Sequence, residues 1–118
     1  MANELRVTTK VNFSKGGAVV TRSFSQDVTI TGDMFSHDVQ SIGTVEEELA
    51  QGADLGTPGY VLIKNLDATN YVEIGSTTGI YDIKLKAGEV ALYRHNSATV
   101  YGKANVAACL VEYIIFED

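Results

Sequence analysis

Two histidines, His37 and His95, are the only imidazoles in the chain and so its only histidine candidates for general base or metal ligand. Each is read as an exposed residue flanking a turn, within Phe35-Ser36-His37-Asp38 and Arg94-His95-Asn96-Ser97. A cupin-like metal site needs two closely spaced histidines, a carboxylate and a third histidine, and this spacing supplies no such set. Ser97 sits two residues from His95, but a serine nucleophile needs a strained turn, a base and an orienting acid, and no Gly-x-Ser-x-Gly is present. Glu46, Glu47 and Glu48 could be paired for acid–base work, yet three adjacent acids repel one another and usually mark a solvated face. Asp67 and Asn70 offer two oxygen donors at the wrong spacing for a calcium loop. Gly75 to Gly79 lacks the following Lys and Ser/Thr of a phosphate-cradling loop. Cys109, the only cysteine, lies in the most apolar segment and reads as a small buried hydrophobe. The residue types predict no enzyme, no cofactor and no metal.

Charge narrows the partners. Nine Lys/Arg stand against fifteen Asp/Glu, for a net charge of −6. The cations are scattered, and only Lys84 and Lys86 sit close together, which argues against nucleic acid. No window of about 18 apolar residues is found, so no membrane span is expected. The first residues, Met-Ala-Asn-Glu-Leu-Arg-Val, do not read as a signal peptide, and a protein made in the cytoplasm is expected. Six tyrosines (Tyr60, Tyr71, Tyr81, Tyr93, Tyr101, Tyr113) and no tryptophan keep a glycan-binding platform as the alternative, because sugars stack on aromatic faces. All six fall inside predicted strands, where tyrosine usually packs on a cross-strand neighbour.

The elements that would position these side chains are almost all strands. Leu5, Val7, Thr9, Val11 and Phe13 alternate with polar residues, Lys15-Gly16-Gly17 turns the chain, and a second strand runs over 18–24. Val28 and Ile30 suggest a third, closed by Gly32-Asp33, and a short piece falls around 37–42. Residues 44–51 carry a capping-box spacing, Thr44 with Glu47, for a short helix, or form a strand leading into a turn. The longest loop, 51–59, holds the only proline, Pro58. Four strands follow, over 60–66, 71–74, 80–85 and 90–94. They are predicted to pair as two hairpins, the first across Asp67–Asn70 and the second across Lys86–Glu89, with Gly88 taking positive φ. Strands over 98–103 and 107–116 end the chain.

This spacing predicts one all-β domain over 1–118, an antiparallel β-sandwich, jelly-roll-like, of about 8–10 strands with under about 10% helix. Residues 1–58 are more polar and are expected to complete the sandwich. The last strand is apolar on both sides: Cys109, Val111, Tyr113 and Ile115 on one, Leu110, Ile114 and Phe116 on the other, interrupted only by Glu112. A strand covering one core alternates cleanly, so the second apolar face asks for a second surface, which in a chain this short could be another subunit. The expected assembly residues are therefore Leu110, Val111, Tyr113, Ile114, Ile115 and Phe116. The first strand, with Thr8, Thr9 and Lys10, could pair with a neighbour's sheet edge.

The stretch Gly56-Thr-Pro-Gly-Tyr-Val-Leu-Ile-Lys-Asn-Leu-Asp-Ala-Thr-Asn-Tyr-Val-Glu-Ile-Gly75, the segment Lys84-Leu-Lys-Ala-Gly-Glu89 and the apolar closing strand ending in Glu117-Asp118 resemble small structural proteins of tailed bacteriophages. The resemblance spans residues 55–118. It implies a β-sandwich virion component, of the capsid decoration, head–tail or fibre-base kind. The implied protein is a homo-oligomer, a trimer being one form, seated on major capsid or tail proteins and carrying no catalytic residues.

Overall fold

The computed structural model describes residues 4–118. Ten strands form: β1 (Leu5–Lys15), β2 (Ala18–Val28), β3 (Phe35–Ile42), β4 (Glu47–Glu48), β5 (Pro58–Asn65), β6 (Val72–Gly75), β7 (Ile83–Leu85), β8 (Val90–Arg94), β9 (Tyr101–Ala104) and β10 (Cys109–Glu117). No helix is present among the described residues. The chain divides into two compact units, Met1–Thr31 and Gly32–Asp118.

The second unit is an antiparallel β-sandwich of two four-stranded sheets, ordered β3-β10-β5-β8 and β4-β9-β6-β7. Its connectivity follows from one long folded-over strip. β3 pairs with β10, β4 with β9, β5 with β8 and β6 with β7, each outer pair enclosing the next along the chain. The strip closes on itself through β10–β5 and β9–β6. That order is a jelly roll. The core lies between the sheets. Val61, Ile63, Val111, Tyr113 and Ile115 enter it from the first sheet, and Val72, Ile74, Leu85 and Ala104 from the second. Each such branched aliphatic contributes about 1.5–3 kcal/mol on burial.

The two expected local hairpins do not form. β5 pairs with β10 and β8, whereas β6 pairs with β7 and β9, so the turn at 66–71 carries the chain from one sheet to the other. The link at 86–89 crosses back in the same way, with Gly88 at φ 80°. The local hairpin is instead β6–β7, and its tip closes tightly: a Cβ on Gly75 would lie 2.0 Å from the Ile80 carbonyl oxygen. Residues 44–51 contribute the two-residue β4 and no helix.

A buried asparagine accounts for the crossing. Asn65, at the end of β5, is fully buried. Its Nδ2 donates to the Leu85 carbonyl at the end of β7 (3.0 Å) and to the Asn70 carbonyl (2.9 Å), while its Oδ1 accepts from the Asp67 N–H (2.9 Å). One side chain of the first sheet thus satisfies backbone groups of the second sheet and of the turn by which the chain passes between them. Asp67 tightens the same turn by accepting from the N–H groups of Asn70 and Thr69. These bonds, Asn70 first, hold its carboxyl below the usual range.

The first unit is the β1–β2 hairpin. It pairs in unbroken register from Leu5–Val28 to Lys15–Ala18 and forms a sheet of its own. Residues 1–58 were expected to complete the sandwich. β3 and β4 belong to its two sheets, and β1 and β2 belong to neither. The third strand expected at Val28 and Ile30 is absent, because β2 continues to Val28.

Candidate assembly surface

In an antiparallel pair, residues opposite one another share a face, so the register assigns every outward side chain. On β10, Val111, Tyr113 and Ile115 point into the core and are essentially inaccessible. Leu110, Ile114 and Phe116 point outward. Of the six residues expected to assemble, only these three can meet a partner. Tyr113 serves the interior: its hydroxyl donates to the Ala50 carbonyl (2.6 Å), and burial pushes its pKa up. Its inward position reflects the side-chain period of two, which left the choice of face to the sheet partners.

The partners of β10 enlarge the outward apolar set. Ile114 lies opposite Leu62 of β5, and Leu62 lies opposite Leu92 of β8, forming an aliphatic row across three strands. At one end Phe35 stands opposite Phe116, their ring centroids 6.3 Å apart. Toward the other end, Val39, Leu110 and Val90 are each about half exposed, at 49%, 53% and 58%. Single exposed apolar residues need no explanation, but a contiguous set across four strands does. Polar residues interrupt it: exposed Lys64 stands opposite both Glu112 and Val90, and two further groups are paired. His37 Nε2 meets Glu112 Oε2 at 2.8 Å, and the Arg94 guanidinium stacks over Tyr60 (4.8 Å to the centroid) while bonding Asp118 Oδ1 at 2.7 Å.

The outer face of the second sheet is different. Glu73 stands between Lys84 of β7 and Lys103 of β9. The Lys84 ammonium lies 4.2 Å from the Tyr71 ring centroid, and that of Lys103 lies 5.9 Å from the Tyr81 ring. The Tyr81 hydroxyl donates to Glu46 Oε1, which also accepts from the Gly79 N–H. The Tyr81 bond is the first cause holding the Glu46 carboxyl low, and it pushes Tyr81 up to about 12. One face of each of the Tyr60, Tyr71 and Tyr81 rings therefore carries a cation of the protein itself.

Of the two histidines expected to be exposed and to flank turns, His37 is exposed but does not flank a turn, and His95 is buried. His37 lies within β3. His95 follows β8 and is only 6% exposed. Its Nε2 donates to the Thr99 carbonyl (2.7 Å), and its Nδ1 faces the Tyr93 hydroxyl (3.2 Å). Burial pushes Tyr93 up to about 12, so its hydroxyl stays protonated and serves as the donor to Nδ1. Ser97 Oγ lies 2.9 Å from the same Nε2 and also donates to the Thr99 carbonyl (2.7 Å), so the serine and the imidazole share one backbone acceptor. The group is a polar clasp of the 95–99 turn. Among the described residues no three His, Cys, Asp or Glu side chains stand where they could hold a metal ion. Cys109 is fully buried, and burial pushes its thiol up.

The hairpin carries a second outward apolar face. Leu5, Val7, Val11 and Phe13 of β1 share one side with Val20, Phe24 and Val28 of β2. The other side holds Arg6, Thr8, Lys10, Asn12, Ser14, Thr21, Ser23, Ser25 and Asp27, along with Val19. Phe24 remains 57% exposed and Val11 58%. The alternation of β1 was legible in the sequence, but it suggested a strand buried on one face of the sandwich.

Fold and surface together define a jelly-roll β-sandwich with one polar and one apolar outer face. In comparisons with protein-family models, curated proteins and solved structures, the chain matches none.

Proposed function

We propose that this chain is a non-enzymatic structural protein that works through subunit contacts, with the outer face of the β3-β10-β5-β8 sheet as its contact surface. The observation that carries this reading is the row Ile114–Leu62–Leu92, flanked by Phe35 and Phe116, on the outside of a sandwich whose own core is already complete. Antiparallel sandwiches ordinarily give such a face polar residues, as the second sheet does here. The resemblance of residues 55–118 to small structural proteins of tailed bacteriophages supports reading that assembly as a virion. The chain is made in the host cytoplasm and built onto capsid or tail proteins as a homo-oligomer. Jelly rolls recur in capsid domains, which is compatible with this reading at the level of fold.

The test is light scattering and far-ultraviolet spectra on Ile114→Lys and Ile115→Lys. Ile114→Lys should fold and lose self-association, because a lysine at a closed apolar contact costs several kcal/mol and on an open surface almost nothing. Ile115→Lys should fail to fold. An Ile114→Lys protein that associates as the wild type does would refute the contact surface. Mass spectrometry of purified virions tests the location.

A further inference from the structure

We propose that the β1–β2 hairpin is an exchanged arm, which lays its apolar face on the outer β3-β10-β5-β8 face of a second copy of this chain while receiving that copy's arm in return. This rests on the reading of that sheet face as a contact surface and names what covers it.

Three observations lead to it. The first is the hairpin's own chemistry. A two-stranded ribbon is at best marginally stable in water unless a third element covers it. This one runs eleven residues in each strand, and on its apolar side Val11, Phe13, Val20 and Phe24 are about half exposed, while Val28 at its base is buried. Its sequence therefore anticipates a cover. The second is charge. Met1–Thr31 carries four basic and two acidic side chains, a net +2, whereas Gly32–Asp118 carries five basic and thirteen acidic, a net −8. The apolar side of the arm holds Arg22, stacked on Phe24, and Lys15, with no acid; on the receiving face Glu112 is paired with His37 and stands opposite Lys64, so the attraction comes from the net charge of the body as a whole. A cationic arm is attracted to the acidic body of another copy, which also discourages two arms or two bodies from pairing with each other.

The third is size. Eleven residues at about 3.3 Å each make a ribbon roughly 36 Å long, and two strands make it about 10 Å wide. Such a ribbon is longer than β10, with nine residues, and β3, with eight, so it covers their full length, and it spans half of a four-stranded sheet. Two docked arms, counting the surfaces on both partners, would cover on the order of 1,400 Å², within the range of a stable protein–protein interface.

The experiment uses the full chain and three single variants, each checked for native fold by its far-ultraviolet spectrum. Val11→Glu spoils the arm's apolar side, and its position opposite Arg22 keeps the ribbon paired. Asn12→Glu places the same charge on the ribbon's polar side. Ile114→Lys spoils the receiving face. Light scattering at micromolar concentration should give wild type and Asn12→Glu the mass of two copies, and Val11→Glu and Ile114→Lys the mass of one. An equimolar mixture of Val11→Glu with Ile114→Lys should recover a two-copy species, since the intact arm of one can dock on the intact face of the other.

A two-copy mass for Val11→Glu with a one-copy mass for Ile114→Lys would overturn the arm and leave the sheet-face reading standing. A two-copy mass for Ile114→Lys would overturn both readings, as would a monomeric wild type. If both variants are monomers and their mixture stays monomeric at concentrations that saturate the wild type, arm and face do not meet, and this inference fails.

Discussion

Replacing Asn65 by alanine should be the most costly single polar truncation in the sandwich, and its size can be worked from the bonds. The side chain donates to the Leu85 and Asn70 carbonyls and accepts from the Asp67 N–H, all without access to water on the asparagine's side. A buried hydrogen bond contributes about 0.5–1.5 kcal/mol net, and stranding its partner costs about 1–3 kcal/mol. With three partners affected, and some relaxation of the turn, Asn65→Ala should lose about 3–5 kcal/mol. That is a large part of the roughly 5–15 kcal/mol available to a domain of this size. Asn65→Asp should be at least as harmful at neutral pH. A carboxylate cannot donate, so it would face two carbonyl oxygens in a dry site. Protonation restores one donor, so Asn65→Asp should recover stability relative to wild type as the pH is lowered. Urea unfolding followed by fluorescence or circular dichroism measures both variants. A loss below about 1 kcal/mol for Asn65→Ala would show that the two sheets do not depend on this side chain for their crossing.

Further outcomes are expected elsewhere. Gly75→Ala should cost about 2 kcal/mol or more, because its Cβ would meet the Ile80 carbonyl backbone, while Gly88→Ala, in open space at φ 80°, should cost about 1 kcal/mol; thermal melts that rank them the other way would contradict this. Glu117 accepts from the N–H of Gly56 (2.6 Å), Asp33 (2.9 Å) and Met34 (3.2 Å), and these bonds, Gly56 first, hold its carboxyl below its ordinary 4.5. The stability it contributes is therefore present above the ordinary value and is lost as the pH falls through the lower folded one. Glu117→Gln should flatten that acid limb of a stability–pH curve, and an unchanged acid limb would refute the assignment. Cys109 should react with a thiol reagent slowly in the native protein and quickly in denaturant; fast native labelling would contradict its burial.

How much of this was legible from the residues depends on the range over which the information acts. Alternation is local, so the strands of the second half, the turn at Lys15-Gly16-Gly17 and the special role of Gly88 could be read directly. The two apolar faces of β10 were equally visible. Which of them is interior was not, since a period of two separates the faces without naming the one that meets the core. Tyr113 and Ile115 went inward because β5 and β3 place Ile63, Val61 and Ile42 on that same side. Strand partners were misread for the same reason. Short links between 60–66, 71–74, 80–85 and 90–94 suggested neighbours, but pairing is a contest among all edges, and β10, distant in sequence, closed against β5. The burial of Asn65 and His95 depends wholly on that outcome, because a polar side chain is tolerated inside only where folded backbone supplies its partners. The sequence by itself determined the strands, their amphipathic or doubly apolar character and the charge of each half. Tertiary structure alone decided that β1 and β2 stand in a sheet of their own and that the apolar side of β10 left over from the core lines up with Leu62 and Leu92. The physical reason is that side-chain patterning prescribes which surfaces seek burial, and only the closing of distant strands decides which of them find it within the chain.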